Sequence, residues 1–304
     1  MIIRERPAAW RLFFVLRGSI LHRIKWEVAT TVTISLLVTL LHGRVFETKI
    51  TLTPIPFSLI GLALAIFLGF RNSTTYDRWW EGRRLWGDLV IHARSLARMT
   101  ISHVQPGESA LQAVRVRRLI AFTHALRHSL RGTRDDDSAR FLPADEAAIV
   151  AAAANPPDRI LQLLSADLAD AAARGQVAPM ISASIEDELT ALAGVQAGCE
   201  RLHGTPLPFS YTLLLHRTAH LYCLLLPFGL VDTIGFSTPL VVGLISYTFF
   251  GLDTIGDEIE DPFALLPNSL PLDAISRRIE IDLRDALGET DLPEMLQPVD
   301  YCLL

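Results

Sequence analysis

The sequence predicts an all-α membrane protein with four transmembrane helices per subunit and a helical cytosolic region. Half of the 304 residues are hydrophobic, and the mean hydropathy of +0.32 is typical of a membrane protein. The apolar residues crowd into residues 26–70 and 207–252, whereas residues 71–201 hold most of the charge. This distribution indicates two membrane blocks separated by a soluble block.

The first membrane block predicts two spanning helices, each of which needs about 20 apolar residues to cross a bilayer. Residues 28–43 carry no charge, and the segment is short enough that Trp26 and His42 would lie near the membrane interfaces. Residues 55–70 are also apolar, but they are too few to cross the whole hydrocarbon layer. We therefore expect their helix to continue into the polar residues 71–75, which is tolerable where that part faces protein or water.

The second membrane block predicts two more spanning helices. Residues 233–252 carry no charge and are the clearest candidate. Residues 207–231 are interrupted by His216, Arg217 and His220. A spanning helix there requires these side chains to lie near one membrane face or to face the bundle interior.

Basic residues predict the orientation of these helices. They precede the first span and follow the second, at Arg11, Arg17, Arg23, Lys25, Arg71, Arg78, Arg83 and Arg84. By the positive-inside rule, both ends of the first block face the cytoplasm. Four spans then return the C-terminus to that side, so both termini are expected to be cytoplasmic.

The soluble block reads as a series of helices, with Gly- and Pro-containing breaks between them. They are predicted at residues 86–99, 110–130, 144–153, 157–173 and 177–202. The predicted organisation is a cytosolic segment 1–25, a membrane block 26–85, a cytosolic helical region 86–205, a second membrane block 206–252 and a cytosolic C-terminal region 253–304.

Three bulky apolar residues, Leu62, Ile66 and Phe70, recur at i, i+4 and i+8 in the second predicted span. This spacing places all three on one line along the helix. Taken alone, such a line often serves helix packing. Here the helix runs on into polar residues, so the line could instead face water, as in the pore-lining helix of an ion channel. We place that helix at residues 55–78.

Other patterns offer alternatives. His124 with His128, and His216 with His220, have HxxxH spacing, which can hold a metal and would suit a membrane-bound metal-dependent oxidoreductase. That chemistry usually needs more ligands than these pairs supply. A secondary transporter is a third reading, weakened because no inverted repeat is visible.

Three carboxylates, Asp253, Asp257 and Glu260, share one helix face. We expect them to pair with arginines such as Arg78, Arg83 or Arg84 rather than to bind a metal.

Several function classes find no support in the sequence. The net charge of −5 is modest and no surface for nucleic acid is indicated. Cys199, Cys223 and Cys302 are isolated, so neither a disulfide framework nor a structural zinc site is predicted. No phosphate loop, dinucleotide fingerprint or nucleophile elbow is present. We expect no enzyme activity, no metal and no cofactor.

Five segments together resemble the bestrophins, and in particular their bacterial members. The segments are Phe67-Leu-Gly-Phe-Arg-Asn, Tyr76-Asp-Arg-Trp-Trp-Glu, Pro206-Leu-Pro-Phe-Ser-Tyr, Leu221-Tyr-Cys-Leu-Leu-Leu-Pro-Phe and Gly251-Leu-Asp-Thr-Ile-Gly-Asp-Glu-Ile-Glu-Asp-Pro-Phe263. The resemblance implies a homopentameric channel in the bacterial inner membrane, with the second span of each subunit lining a narrow neck. Leu62, Ile66 and Phe70 would then form three neck rings. Met180 or Ile181 is our expectation for a second, cytosolic constriction.

The neck predicted in this way carries no fixed charge. Such a constriction gates by excluding water and does not choose the sign of the ion. The resemblance also implies that the middle block forms a wide cytosolic vestibule. Five chains of charge −5 give about −25, which mildly favours cations inside it. Eukaryotic bestrophins conduct chloride and bacterial members favour cations, so we predict a monovalent ion channel and leave the sign open.

Calcium gating is not expected. Eukaryotic calcium-gated bestrophins have a run of acidic residues after the element that corresponds here to Asp261-Pro-Phe. Residues 264–270 offer almost no carboxylate, whereas Ca²⁺ requires six to eight oxygen ligands.

Overall fold

The computed structural model describes residues 1–4, 10, 15, 18–41, 44–45, 48–49, 53–105, 108–134 and 137–304. Two of the basic residues used to orient the first span, Arg11 and Arg17, lie outside the described residues.

The described chain is almost entirely helical. The helices are α1 (Leu21–Leu40), α2 (Pro54–His103), α3 (Ser109–Arg131), α4 (Ala144–Ala151), α5 (Pro156–Ala173), α6 (Pro179–Gly204), α7 (Phe209–Ile234), α8 (Thr238–Glu260) and α9 (Leu272–Ala286). Short 3-10 helices occur at Ser138–Phe141 and Gly235–Ser237. Two short strands, β1 (Arg44–Val45) and β2 (Thr48–Lys49), pair as an antiparallel ribbon. The all-helical prediction is confirmed apart from this ribbon.

Local sequence explains several helix ends. The α5 helix begins where the Asn155 side chain accepts a hydrogen bond from the Asp158 backbone nitrogen, followed by a proline at the first helical position. The α3 helix ends at Gly132, whose φ of 59° lies in the left-handed region that glycine tolerates. The α2 helix has prolines only in its first turn, so nothing in its sequence forces a break. It therefore forms one helix of 50 residues, where the sequence had suggested two separate segments.

The chain divides into two compact units. One unit contains Arg4–Trp79 and Pro206–Asp261. In it, α1, α7, α8 and the N-terminal part of α2 pack around a common apolar cluster formed by Ile24, Leu64, Leu68, Leu215, Ala219, Cys223, Phe249 and Phe250. Glycine permits close helix contact at Gly229, where an added Cβ would lie 2.6 Å from the Phe57 ring.

The other unit contains Met1–Ile3, Trp80–Thr205 and Pro262–Leu304. Its central helix is α3, which is buried along most of its length. Arg115 and Arg118 of α3 both bind Asp167 of α5. Burial alone would raise the pKa of Asp167, but hydrogen bonds and charge from the two arginines lower it. These pairs keep buried charges neutralised inside a helical core.

Among the described residues, two helical stretches are long and apolar enough to cross a membrane by length and composition. They are Pro54–His103 and Phe209–Glu260, the second of which contains α7 and α8. Large apolar side chains are also exposed on the helices of the first unit, including Leu37, Leu214 and Leu244. Exposed apolar faces of this kind suit contact with lipid or with other subunits.

Candidate pore-lining face and its anchoring cluster

The three predicted neck residues lie on an exposed line of α2. Leu62, Ile66 and Phe70 are 61%, 48% and 63% exposed, whereas Leu64 and Leu68 between them are 3% and 0% exposed. At 100° per residue, the middle of the exposed line lies about 180° around the helix from the buried Leu64 and Leu68. The chain therefore buries one side of α2 and presents Leu62, Ile66 and Phe70, which we call the neck line, on the opposite side.

The orientation of α2 is fixed by contacts on its buried side. Leu64 and Leu68 belong to the apolar cluster of the unit. Gly61 lies against the Tyr222 hydroxyl, which an added Cβ would approach to 2.6 Å. The Tyr211 hydroxyl of α7 donates a hydrogen bond to the Phe67 carbonyl oxygen at 3.2 Å. These contacts hold the neck line facing away from the core.

A buried arginine follows the neck line directly. The Arg71 side chain is 0% exposed and donates to Asp253 Oδ1 at 2.7 Å. It also donates to Asp257 and lies 3.7 Å from Glu260 Oε2. His216 Nδ1 lies 2.8 Å from the other oxygen of Asp253. The cluster ties α2 to α7 and α8 at the polar end of the neck line.

Arginine pairing of the three carboxylates is confirmed, but the arginine that contacts all three was not among those named from the sequence. The predicted partners were Arg78, Arg83 and Arg84, whereas the structure uses Arg71. Arg78 contributes differently, by donating from Nε to the Glu260 carbonyl oxygen at 3.0 Å. A sequence signal existed, because Arg71 follows Leu64 and Leu68 at helical spacing and so shares their buried face.

Gly256 allows the cluster to form. A Cβ at this position would lie 2.5 Å from Asn72 Oδ1 and 3.4 Å from the guanidinium group of Arg71. No side chain fits there without displacing one of these groups. The glycine thus admits the arginine between α2 and α8.

Each of the four histidines of the HxxxH pairs contacts other groups of the protein. The buried His124 stacks on Phe141 and lies 3.4 Å from Glu280, and His128 bonds to Thr133. His216 contacts Asp253, and His220 donates from Nδ1 to the His216 carbonyl oxygen. Among the described residues, no group of three or more His, Cys, Asp or Glu side chains could hold a metal. This arrangement does not favour the metal-dependent oxidoreductase.

Met180 and Ile181 lie in the first turn of α6, in the unit that contains α3. The Met180 side chain is exposed and Ile181 is partly buried. Of the two, Met180 has the more exposed side chain.

Comparison with known proteins identifies relatives along the whole chain. A family model described as bacterial and fungal bestrophin protein matches residues 1–285. A voltage-dependent anion channel-forming protein of Mesorhizobium japonicum is 44% identical over 297 residues, which cover 97% of this chain and 95% of that protein. The voltage-dependent anion channel-forming protein YneE of Escherichia coli K12 is 40% identical and covers 98% of both chains.

Solved structures agree with this assignment. The crystal structure of a bacterial bestrophin homologue from Klebsiella pneumoniae is 39% identical, with a TM-score of 0.84. The match covers 88% of this chain and 99% of that one. Sequence and fold therefore point to the same relatives, and the chain is a membrane protein that belongs to the bacterial and fungal bestrophin family.

Proposed function

We propose that this chain forms a passive channel for monovalent ions, sodium or chloride, as a homopentamer in the bacterial inner membrane. Each subunit would span the bilayer four times, with α1, the N-terminal part of α2, α7 and α8, and both termini would be cytoplasmic. The observation that carries the proposal is the apolar line of α2, which is exposed opposite the buried face of the helix. A line held outward in this way is suited to facing a central axis.

Around a fivefold axis, Leu62, Ile66 and Phe70 would become three stacked apolar rings. Such rings control conduction by admitting or excluding water, because an ion must keep its hydration to pass an uncharged constriction. Charge selection has to come from groups outside the rings. The names of the relatives favour anions, whereas the acidic net charge of the chain favours cations.

Three further features belong to this proposal. Met180, exposed at the start of α6, is the better of the two candidates for the second constriction, with Ile181 beside it. Calcium gating is absent from the proposal because residues 264–270 supply almost no carboxylates and the nearby Glu260 lies beside Arg71. The relatives are named as channel-forming proteins, which supports a function without catalysis.

The proposal is tested by single-channel recording of purified Ile66→Ala in planar bilayers. Ile60→Ala is a matched control, because Ile60 lies on the same helix and is 45% exposed against 48% for Ile66. At 100° per residue, however, Ile60 lies about 120° around the helix from Ile66. We expect a larger conductance for Ile66→Ala and wild-type conductance for Ile60→Ala. Equal conductance for both variants and the wild type would contradict a neck at Ile66.

A further inference from the structure

The line of the neck continues along α2 into a serine and an aspartate. At 100° per residue, Ser73 and Asp77 each lie within about 20° of the middle of the line formed by Leu62, Ile66 and Phe70. Both residues are exposed, and α2 is unbroken through this stretch. The first charged side chain on the neck line is therefore Asp77.

The α2 helix separates its charges between two faces in this stretch. Arg71 and Arg78 lie about 100–120° around the helix from Asp77. Arg71 is buried against Asp253, and Arg78 donates to the Glu260 carbonyl oxygen. Within residues 71–78, both positive charges therefore turn toward α8, and the negative charge stays on the exposed line.

Within the part of the chain that the structure describes, Asp77 also differs from the carboxylates of α8 in lacking a side-chain partner. Asp253, Asp257 and Glu260 all lie beside Arg71, and Glu258 pairs with Arg23 at 2.7 Å. Among the residues that the structure describes, none forms an ion pair or hydrogen bond with the Asp77 side chain. No described residue neutralises its negative charge by direct contact, so this charge acts on whatever the exposed line faces.

We infer that Asp77 sets the charge preference of the channel, by forming a ring of five carboxylates at the cytosolic end of the apolar neck that favours cations over anions. This inference rests on the proposed function, because it requires the neck line to face the axis of a pentamer. Rings of aspartate or glutamate select cations in other channels. A charged constriction of this kind changes the local concentration of ions by about tenfold or more. The apolar rings would thus gate the channel, and the Asp77 ring would select ions by charge.

The test compares reversal potentials of purified wild type, Asp77→Asn and Asp170→Asn in planar bilayers under a sodium chloride gradient. Asp170 is a matched control, because it is an exposed aspartate on α5 whose replacement removes the same charge from each subunit. We expect Asp77→Asn to lower the sodium-to-chloride permeability ratio by about tenfold. Asp170→Asn should leave the ratio unchanged, and Asp77→Glu should keep the wild-type ratio.

A second measurement separates charge from folding. Asp77→Cys is made in a Cys302→Ser background, because Cys199 and Cys223 are buried and Cys302 is the more exposed cysteine. Modification of the same folded protein with a sulfonate thiol reagent should restore cation preference, and a trimethylammonium reagent should shift the preference further toward anions. A purely structural role for Asp77 would not follow the sign of the reagent.

The outcomes separate this inference from the proposed function. Conducting channels whose permeability ratio is the same in wild type, Asp77→Asn and both modified forms would overturn the role of Asp77 and leave the channel intact. Wild-type protein that conducts no ions would overturn the proposed function, and with it the basis of this inference. A ratio that follows the charge at position 77 would support both.

Discussion

Replacement of Arg71 by methionine tests the anchoring cluster, because it removes the positive charge while keeping a long side chain. The Arg71 side chain is 0% exposed and Asp253, 2.7 Å away, is 4% exposed. Removing one partner of a buried ion pair leaves the other charge uncompensated, which costs about 3–5 kcal/mol. We expect Arg71→Met to lower the free energy of unfolding by this amount.

The same cluster provides an internal control. Asp257 also binds Arg71, but its side chain is 49% exposed, so water can replace the lost contact. Asp257→Asn should therefore lower the free energy of unfolding by less than about 1 kcal/mol. In the double variant Arg71→Met/Asp253→Asn no unpaired charge remains buried at this pair, and we expect it to recover about 2 kcal/mol relative to Arg71→Met.

The assay is equilibrium unfolding of the purified variants in mixed detergent micelles, followed by loss of helical signal. Size-exclusion chromatography would verify that each variant has the wild-type assembly before unfolding. A cost for Arg71→Met no larger than that for Asp257→Asn would refute the reasoning that the Arg71 to Asp253 pair is the buried anchor of α2.

Three further predictions concern the unit that contains α3. Gly82→Ala should lower the free energy of unfolding by about 1–3 kcal/mol, because the new Cβ would lie 2.9 Å from the Pro262 ring. Gly87→Ala is the control and should be neutral or stabilising, because a Cβ there would meet nothing within 4 Å. Equal effects of the two variants on thermal unfolding would count against this packing. Burial alone would raise the pKa of Asp137, but hydrogen bonds from His128 and Arg127 and the charges of Arg127 and Arg140 lower it to about 2. The stability that the ionised Asp137 contributes is therefore complete above about pH 4 and is lost as the pH falls toward 2. In Asp137→Asn, the free energy of unfolding should no longer fall with pH over this range through this group. Burial, with the nearby Glu200 and Glu81 charges, raises the pKa of Cys199 to about 12. A maleimide at pH 8 should therefore label Cys302 well before Cys199. Equal labelling rates, measured by peptide mass spectrometry, would contradict this.

Much of the fold follows from the sequence because its signals are local. Apolar periodicity and Gly or Pro breaks predicted the helices that became α3, α5 and α6 to within a few residues. The continuity of α2 was missed because the change from the membrane block to the charged soluble block, between residues 78 and 86, suggested a boundary. The composition of the chain changes there, but the backbone stays helical because no proline interrupts it.

The candidate site was predictable in part. The spacing of Leu62, Ile66 and Phe70 identified the exposed line, but a spacing alone does not say which side of a helix the core covers. That required the partners of Leu64, Leu68 and Arg71, which come from α7 and α8, more than a hundred residues away in the chain. The spacing of Leu64, Leu68 and Arg71 placed the arginine on their face of the helix, but its partners on α8 are visible only in the structure, so Arg71 was not among the arginines named.

The central claim is that the chain forms a passive ion-conducting pore, and the current through purified wild-type protein in a planar bilayer under a sodium chloride gradient tests it most directly. We predict discrete current steps that need no energy source and reverse at a potential set by the gradient, on the sodium side if Asp77 acts as inferred. A bilayer that stays silent across a range of voltages, with protein shown to be inserted and pentameric, would contradict the account.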